Sequence, residues 1–333
     1  MVKMQSEILN DFRTLLEVHK NLKDELENRS LETVTYFARD IFWKQMKNRE
    51  EPSESKNTFS KTKGEYINIE KNELHNFAKK YSAKHIHSNS ICTWIPKIAC
   101  SNIRYSIAIA NGLISGYSDI EWIHSNNNSL GASNNELLNA NYTFSILRNP
   151  FKRLLSYYLD KIVHYNNHKE QSVNDTSYNH ANILFKSDRD PSFQEFVDTL
   201  WKKPNLLNND IHTKKQCDFM VYKKYDDYFA FEEYKETIAK IKAKTGLVIH
   251  DVRDVNTIKT TKGLEESDDF EYSQDARIIR QLIKDGKKPN PYKMYTADMA
   301  KKTAALYLPD ILLYYSAVKK GSKELKGWVE KIQ

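Results

Sequence analysis

The sequence predicts an α/β fold: a central, mainly parallel sheet flanked by helices, with an N-terminal helical extension. Three observations carry this expectation. Two short apolar runs, residues 91–95 and 141–147, each stop at a proline-bearing turn and release a helix-like stretch. Strand-like and amphipathic stretches alternate along the rest of the chain, as βαβ units require. No internal repeat is visible that would indicate a solenoid.

Composition narrows the class. The chain has 333 residues, 40% of them hydrophobic, which is enough to bury a core. Its 51 basic and 44 acidic residues leave a net charge of +7, with both signs spread along the chain, so nucleic acid is not an expected partner. Cys92, Cys100 and Cys217 are few, widely spaced and without a Cys-x-x-Cys pair, which suggests neither a disulfide framework nor zinc. No apolar run reaches 18 residues and the N-terminus lacks a signal-peptide core, so no membrane span is expected and the expected location is cytoplasmic.

In chain order, residues 1–60 form the expected extension and linker, and 61–333 the main domain. Ile8, Phe12, Leu15, Leu16, Leu22 and Leu26 recur at helical spacing, and residues 31–46 read as a second helix. These helices pack on the domain or serve self-association. Residues 47–64 are polar and read as a linker. A short strand over 66–69 and a helix over 73–81 follow. The next helix runs over 101–111, with Gly112 as its C-terminal cap. Residues 119–124 alternate like a strand end, and 125–141 read as a loop with a little helix. The helix over 151–163 starts at Pro150, a favoured first-turn residue. Its apolar stripe is Phe151, Leu154, Leu155, Tyr158, Leu159 and Ile162, with Arg153, Ser156 and Asp160 opposite. Residues 165–190 read as a surface excursion. Helices are expected over 192–201, 232–244, 275–284 and 296–308, with a strand within 224–231.

The strand–turn–helix over Ile91–Arg104 has a chemical consequence. The first N–H groups of a helix released by a strand are unpaired and favour an anion, to which Lys97 adds a mobile cation and Ser101 and Asn102 short polar groups. In the second unit Arg148 stands at the strand end with a fork suited to phosphate. Ser156 follows about 9 Å along the helix from Pro150, at 1.5 Å per residue. Two anion sites at one sheet edge are therefore expected. There is no Gly-x-x-x-x-Gly-Lys-Ser/Thr and no Gly-x-Gly-x-x-Gly, which argues against an ordinary P-loop NTPase and a dinucleotide fold.

The stretch Ile95-Pro96-Lys97-Ile98-Ala99-Cys100-Ser101-Asn102 resembles the 5′-phosphosulfate loop, Val-Pro-Lys-Val-Ala-Cys-Thr-Asn, of the Golgi-type carbohydrate sulfotransferases of family 2, which include chondroitin and uronosyl 2-O-sulfotransferases. Arg148-Asn149-Pro150-Phe151-Lys152-Arg153-Leu154-Leu155-Ser156-Tyr157-Tyr158 resembles their 3′-phosphate motif. Weaker similarities follow at residues 208–217, 225–232 and 307–315, so the resemblance covers about residues 90–317. Ser101 stands for the family's Thr and Asn149 for its Asp or Glu. Thr213 stands for the Trp after His212, and Phe229-Ala230 for Gly-Lys.

The resemblance implies a P-loop-like sulfotransferase fold in a soluble, bacterial-type member. It also implies transfer of a sulfuryl group from 3′-phosphoadenosine 5′-phosphosulfate (PAPS) to a carbohydrate hydroxyl, anionic sugars included, as in polysaccharide biosynthesis. Pro96, Lys97, Ile98, Ala99, Cys100, Ser101 and Asn102 would hold the 5′-phosphate, with Lys97 at the leaving oxygen. Arg148 and Ser156, with Arg153, would hold the 3′-phosphate, and no metal is needed. His124 is the expected general base, because Ile123-His124-Ser125 resembles the His-Val-Ser of the uronosyl enzymes; His212 is the alternative. The rival readings are a nucleotide-dependent phosphotransferase, for which no magnesium carboxylate stands out, and a catalytically inactive nucleotide- or anion-binding protein.

Overall fold

In the computed structural model, residues 57–60, 69–164, 190–252, 263–318 and 321–332 are described. The expected N-terminal helices, most of the 47–64 linker and nearly all of the 165–190 excursion lie outside them. Four strands form the central sheet, in the order β1 (Ser82–His85), β2 (Ser90–Thr93), β3 (Tyr142–Leu147), β4 (Asp227–Ala230). β1 runs antiparallel to β2, while β2–β3 and β3–β4 are parallel. The parallel strands read as near-continuous apolar runs because both faces are covered; Ile91, Cys92, Phe144, Ile146 and Leu147 are all buried. The sheet is thus mixed α/β and mostly parallel, as expected. β1 escapes sequence reading because it is a four-residue edge strand containing Lys84 and His85.

The helices bear out the periodicity with small shifts of boundary. They are α1 (Glu73–Lys80), α2 (Cys100–Ala110), α3 (Trp122–Ser125), α4 (Asn134–Leu138), α5 (Pro150–Tyr158), α6 (Phe193–Lys202), α7 (Tyr234–Thr245), α8 (Ala276–Lys284), α9 (Ala297–Leu306), α10 (Leu308–Ala317) and α11 (Gly321–Ile332). Gly112, at φ +70°, follows α2 in the left-handed conformation that ends a helix. The Asn149 side chain caps α5, accepting from the N–H groups of Phe151 and Lys152. After Tyr158 the helix widens into a π-type turn, Leu159–Val163, which carries Asp160.

Three expectations change. Residues 119–124 are not a strand end: Ile120 and Ile123 are buried three residues apart, a helical spacing, and the segment turns into α3. Ile69, expected to end a strand, opens a 3-10 turn, Ile69–Lys71. A second, two-stranded sheet pairs β5 (Glu265–Ser267) with β6 (Lys287–Pro289), setting Glu265 beside Lys287 and Glu266 beside Lys288. Its charged strands carry no apolar alternation, so opposite charge across the pair is their only sequence trace. Residues 57–60, at the end of the expected linker, lie against the domain: Asn57 donates to the carbonyls of Leu138 and Ala140, and Phe59 bridges to Tyr222.

Candidate active site

β2 and β3 are parallel neighbours, so the loops that leave their C-terminal ends emerge at one edge of the sheet. A hydrogen bond joins these loops directly. Arg148 Nη1 donates to the carbonyl of Lys97 at 2.9 Å. The two motifs, 51 residues apart, therefore form one surface.

The β2–α2 turn is tightly wound. Lys97 and Ala99 adopt positive φ, +70° and +49°, although neither is glycine. Such conformations persist only where surrounding contacts hold them, and they cluster at ligand clamps. The Ile98 N–H is committed to the Ile95 carbonyl at 3.2 Å. Ala99 caps α2 without a side-chain hydrogen bond, so the first turn of α2 presents its N–H groups outward. Cys100 and Ser101 are half-buried there. The Asn102 side chain is used elsewhere: it donates to the Tyr234 hydroxyl at 2.8 Å and accepts from the Val252 N–H at 3.3 Å. Only the main chain of Asn102 is left for an anion.

Arg148 is held with part of its donor capacity open. Its guanidinium lies 4.7 Å from the centroid of the Phe231 ring. Its Nε is buried without a hydrogen-bond partner, and it makes no ion pair among the described residues. Burial lowers its pKa to about 10, with Glu232 opposing. It remains a cation at any working pH. Arg153 is different. It is 3% exposed, and Nε and Nη1 donate to the main-chain carbonyls of Pro96 and Lys214 at 3.1 and 2.8 Å. It is a strut between two loops, although its Nη2 is left unpartnered. Ser156 is half-buried on α5, one turn before Asp160.

Lys97 pairs with Asp160 at 2.9 Å, and Lys161 approaches the same carboxylate at 3.5 Å. Burial lowers the Lys97 pKa and Asp160 opposes that shift. Burial would raise the Asp160 pKa, but the two lysines hold its carboxyl below the usual range. An anion that engages Lys97 must therefore compete with Asp160.

The two histidines separate. His124 is exposed on α3, a helix tied to α2 through Arg104, which donates to the Ile123 carbonyl and the Asn127 side chain and stacks on Trp94 at 4.5 Å. The loop of His212 is tied to that of Lys97 by Arg153, which donates to the Pro96 and Lys214 carbonyls, and the charges of Lys97 and Lys161 lower the His212 pKa. Burial is the larger cause of that lowering, and Asp210, 2.7 Å from Nδ1, opposes it. A half-buried imidazole whose pKa is lowered is neutral near pH 7 and a competent proton acceptor. Hydrogen bonds thus join the loops of Lys97, Arg148 and Arg153, and Arg153 ties the Lys97 loop to the loop that carries His212 through the carbonyls of Pro96 and Lys214.

The weaker sequence similarities turn out to be the scaffold. Gln216 pairs with the Arg148 main chain in both directions, its Oε1 accepting from the N–H at 3.0 Å and its Nε2 donating to the carbonyl at 2.9 Å. Buried Asp310 accepts from the N–H groups of Gln216 and Cys217 at 2.7 and 3.0 Å. The Tyr307 hydroxyl donates to the Thr213 carbonyl. Glu232 accepts from the Asn149 N–H and the Tyr314 hydroxyl. Gln216 was missed by sequence reasoning, and Asp210 and Asp310, which fall in the weaker similarities, had no role there; all three act through partners far along the chain. No cluster of His, Cys, Asp or Glu suited to a metal occurs among the described residues.

Cationic loops and a helix start thus lie together at the carboxyl edge of a parallel sheet, an arrangement suited to group transfer. The family model described as "Sulfotransferase family" matches residues 86–316, and the chain belongs to that family. It is accordingly a sulfotransferase of the family-2 type, an enzyme of sulfuryl transfer. No curated protein and no solved structure matches the chain. No helix among the described residues is long and apolar enough to cross a membrane.

Proposed function

We propose that this enzyme moves a sulfuryl group from PAPS to a hydroxyl of a carbohydrate and releases adenosine 3′,5′-bisphosphate. The observation that carries this reading is the hydrogen bond from Arg148 to the Lys97 carbonyl, which joins two anion-binding loops into one clamp. A donor with a phosphate at each end of its ribose uses both halves. The unpartnered Arg148 Nε and Arg153 Nη2 are donors still to be satisfied, which a 3′-phosphate would do. The open first turn of α2 and the Ser101 hydroxyl suit a 5′-phosphate.

In the proposed reaction the acceptor oxygen attacks sulfur in line. The new O–S bond forms as the S–O bond to the 5′-phosphate breaks, and the electron pair stays on the phosphate oxygen. Lys97, released from Asp160, stabilises that growing charge. The acceptor proton passes to His212, whose loop Arg153 ties to that of Lys97, which supports it over His124 as the base. Lys161 and Lys214 lie around the same loops and favour an acceptor sugar with a carboxylate or sulfate.

Isothermal titration with adenosine 3′,5′-bisphosphate and with AMP tests the donor. Binding of the bisphosphate at least tenfold tighter, about 1.4 kcal/mol, is expected. Equal affinities would remove the bisphosphate clamp, and tight binding with no transfer of labelled sulfate to neutral or acidic glycans would favour an inactive binding protein.

A further inference from the structure

The loop that carries His212 also contains a carboxylate held at both oxygens. Asp210 is 7% exposed. Its Oδ1 accepts from the His212 main-chain N–H at 2.8 Å and lies 2.7 Å from the ring Nδ1. Its Oδ2 accepts from the Tyr157 hydroxyl at 3.0 Å. Tyr157 is fully buried on α5, and its ring centroid lies 6.1 Å from that of His212. The loop itself is fixed independently, since Thr213 Oγ1 donates to the Leu207 and Asp210 carbonyls and Tyr307 holds the Thr213 carbonyl. The imidazole, the carboxylate and the phenol thus form a chain from the reaction centre into the core.

We propose that Asp210 is a positioning residue for His212, locked by Tyr157, which keeps the proton on Nδ1 so that Nε2 receives the proton of the attacking hydroxyl. This rests on the reading above, in which His212 is the base. A carboxylate facing Nδ1 accepts only from an N–H, so it selects one tautomer and one ring orientation. The imidazolium formed as the O–S bond closes is stabilised by the same carboxylate. The charged groups facing His212 are Asp210 from its own loop, Lys97 from the β2–α2 turn, and Asp160 and Lys161 from the π turn. Burial, with a smaller contribution from the two lysines, keeps the imidazole neutral before reaction, and Asp210 opposes that lowering.

Two readouts need no knowledge of the acceptor. One is the slow hydrolysis of PAPS, in which water takes the acceptor's place. The other is nitrogen-15 NMR of the histidine rings with adenosine 3′,5′-bisphosphate bound. In the unaltered enzyme His212 should be the Nδ1–H tautomer; an Nε2–H tautomer overturns the proposal. Asp210→Asn keeps the size of the side chain but offers Nδ1 an amide. It should slow hydrolysis about 100-fold, within the range of general-base effects. It should also move the acid limb of the rate profile to lower pH and leave bisphosphate affinity unchanged. In a His212→Ala background it should cost nothing further. An unchanged rate and profile in Asp210→Asn, with His212→Ala slow, overturns the role of Asp210 alone. A normal rate in His212→Ala overturns the base beneath it. Tyr157→Phe serves if Asp210→Asn does not fold: it should slow hydrolysis with affinity intact, and an unchanged rate overturns the lock.

Discussion

At the scale of the residue, the central distinction is between two arginines that the motif treats alike. Arg153 has committed Nε and Nη1 to main-chain carbonyls, whereas Arg148 has one such bond and an aromatic face. Arg148→Lys should therefore weaken adenosine 3′,5′-bisphosphate by tenfold or more in titration calorimetry while AMP changes little, because an ammonium has neither the fork nor the stacking plane. Equal losses for both ligands would contradict the assignment. Lys97, Arg148 and Ser156 were legible in the sequence because strand–turn–helix grammar fixes where such residues stand. His212 was legible only as an alternative. In the proposed mechanism it ranks first for its loop's tie to Lys97 through Arg153 and for the Asp210–Tyr157 contact, whose partners are 53 residues apart, and no local pattern encodes either.

At the scale of the element, α5 links the Arg148 loop to the core. Phe151 stacks on Trp328 of α11 at 4.5 Å, and the Tyr295 hydroxyl donates to the Phe151 carbonyl. Asn149 starts the helix. Asn149→Ala removes acceptors from two orphan N–H groups and should cost about 1 kcal/mol of stability, read as a lower melting temperature. An unchanged melting curve would show that the cap contributes nothing. The apolar stripe of this helix was visible from the sequence, but its end was not. A helical period continues smoothly through 159–163, whereas the backbone there opens to a π turn that aims Asp160 at Lys97. For α3 the error ran the other way: six residues are too few to tell period two from period three, and only the burial of Ile120 and Ile123 decides.

At the scale of the whole molecule, three histidines set a pH dependence. Burial lowers the pKa of His75, His85 and His212 below 6.5. At pH 7 they are largely neutral, folded or unfolded. As pH falls through 6.5 the unfolded chain takes up protons that the folded chain refuses, so their contribution to stability is lost on acidification. Denaturant midpoints measured from pH 7.5 to 5 should fall, and His75→Gln, which can keep a hydrogen bond to Asn134, should show a shallower fall. An equal slope in that variant would remove His75 from the cause. The parallel order of β2, β3 and β4 was legible because its strands alternate with helices. The second sheet was not, because charge pairing leaves no hydrophobic period.

Asp310 gives this architecture a temporal order. Its carboxylate holds Gln216, and Gln216 holds both main-chain groups of Arg148. A ribosome that has released residues up to 250 has made the Lys97 and Arg148 loops, His212 and all four strands of the central sheet, yet Arg148 still lacks its far support. Domains fold as units during synthesis. The support behind Arg148 in this chain is therefore complete only after residue 310 has left the exit tunnel.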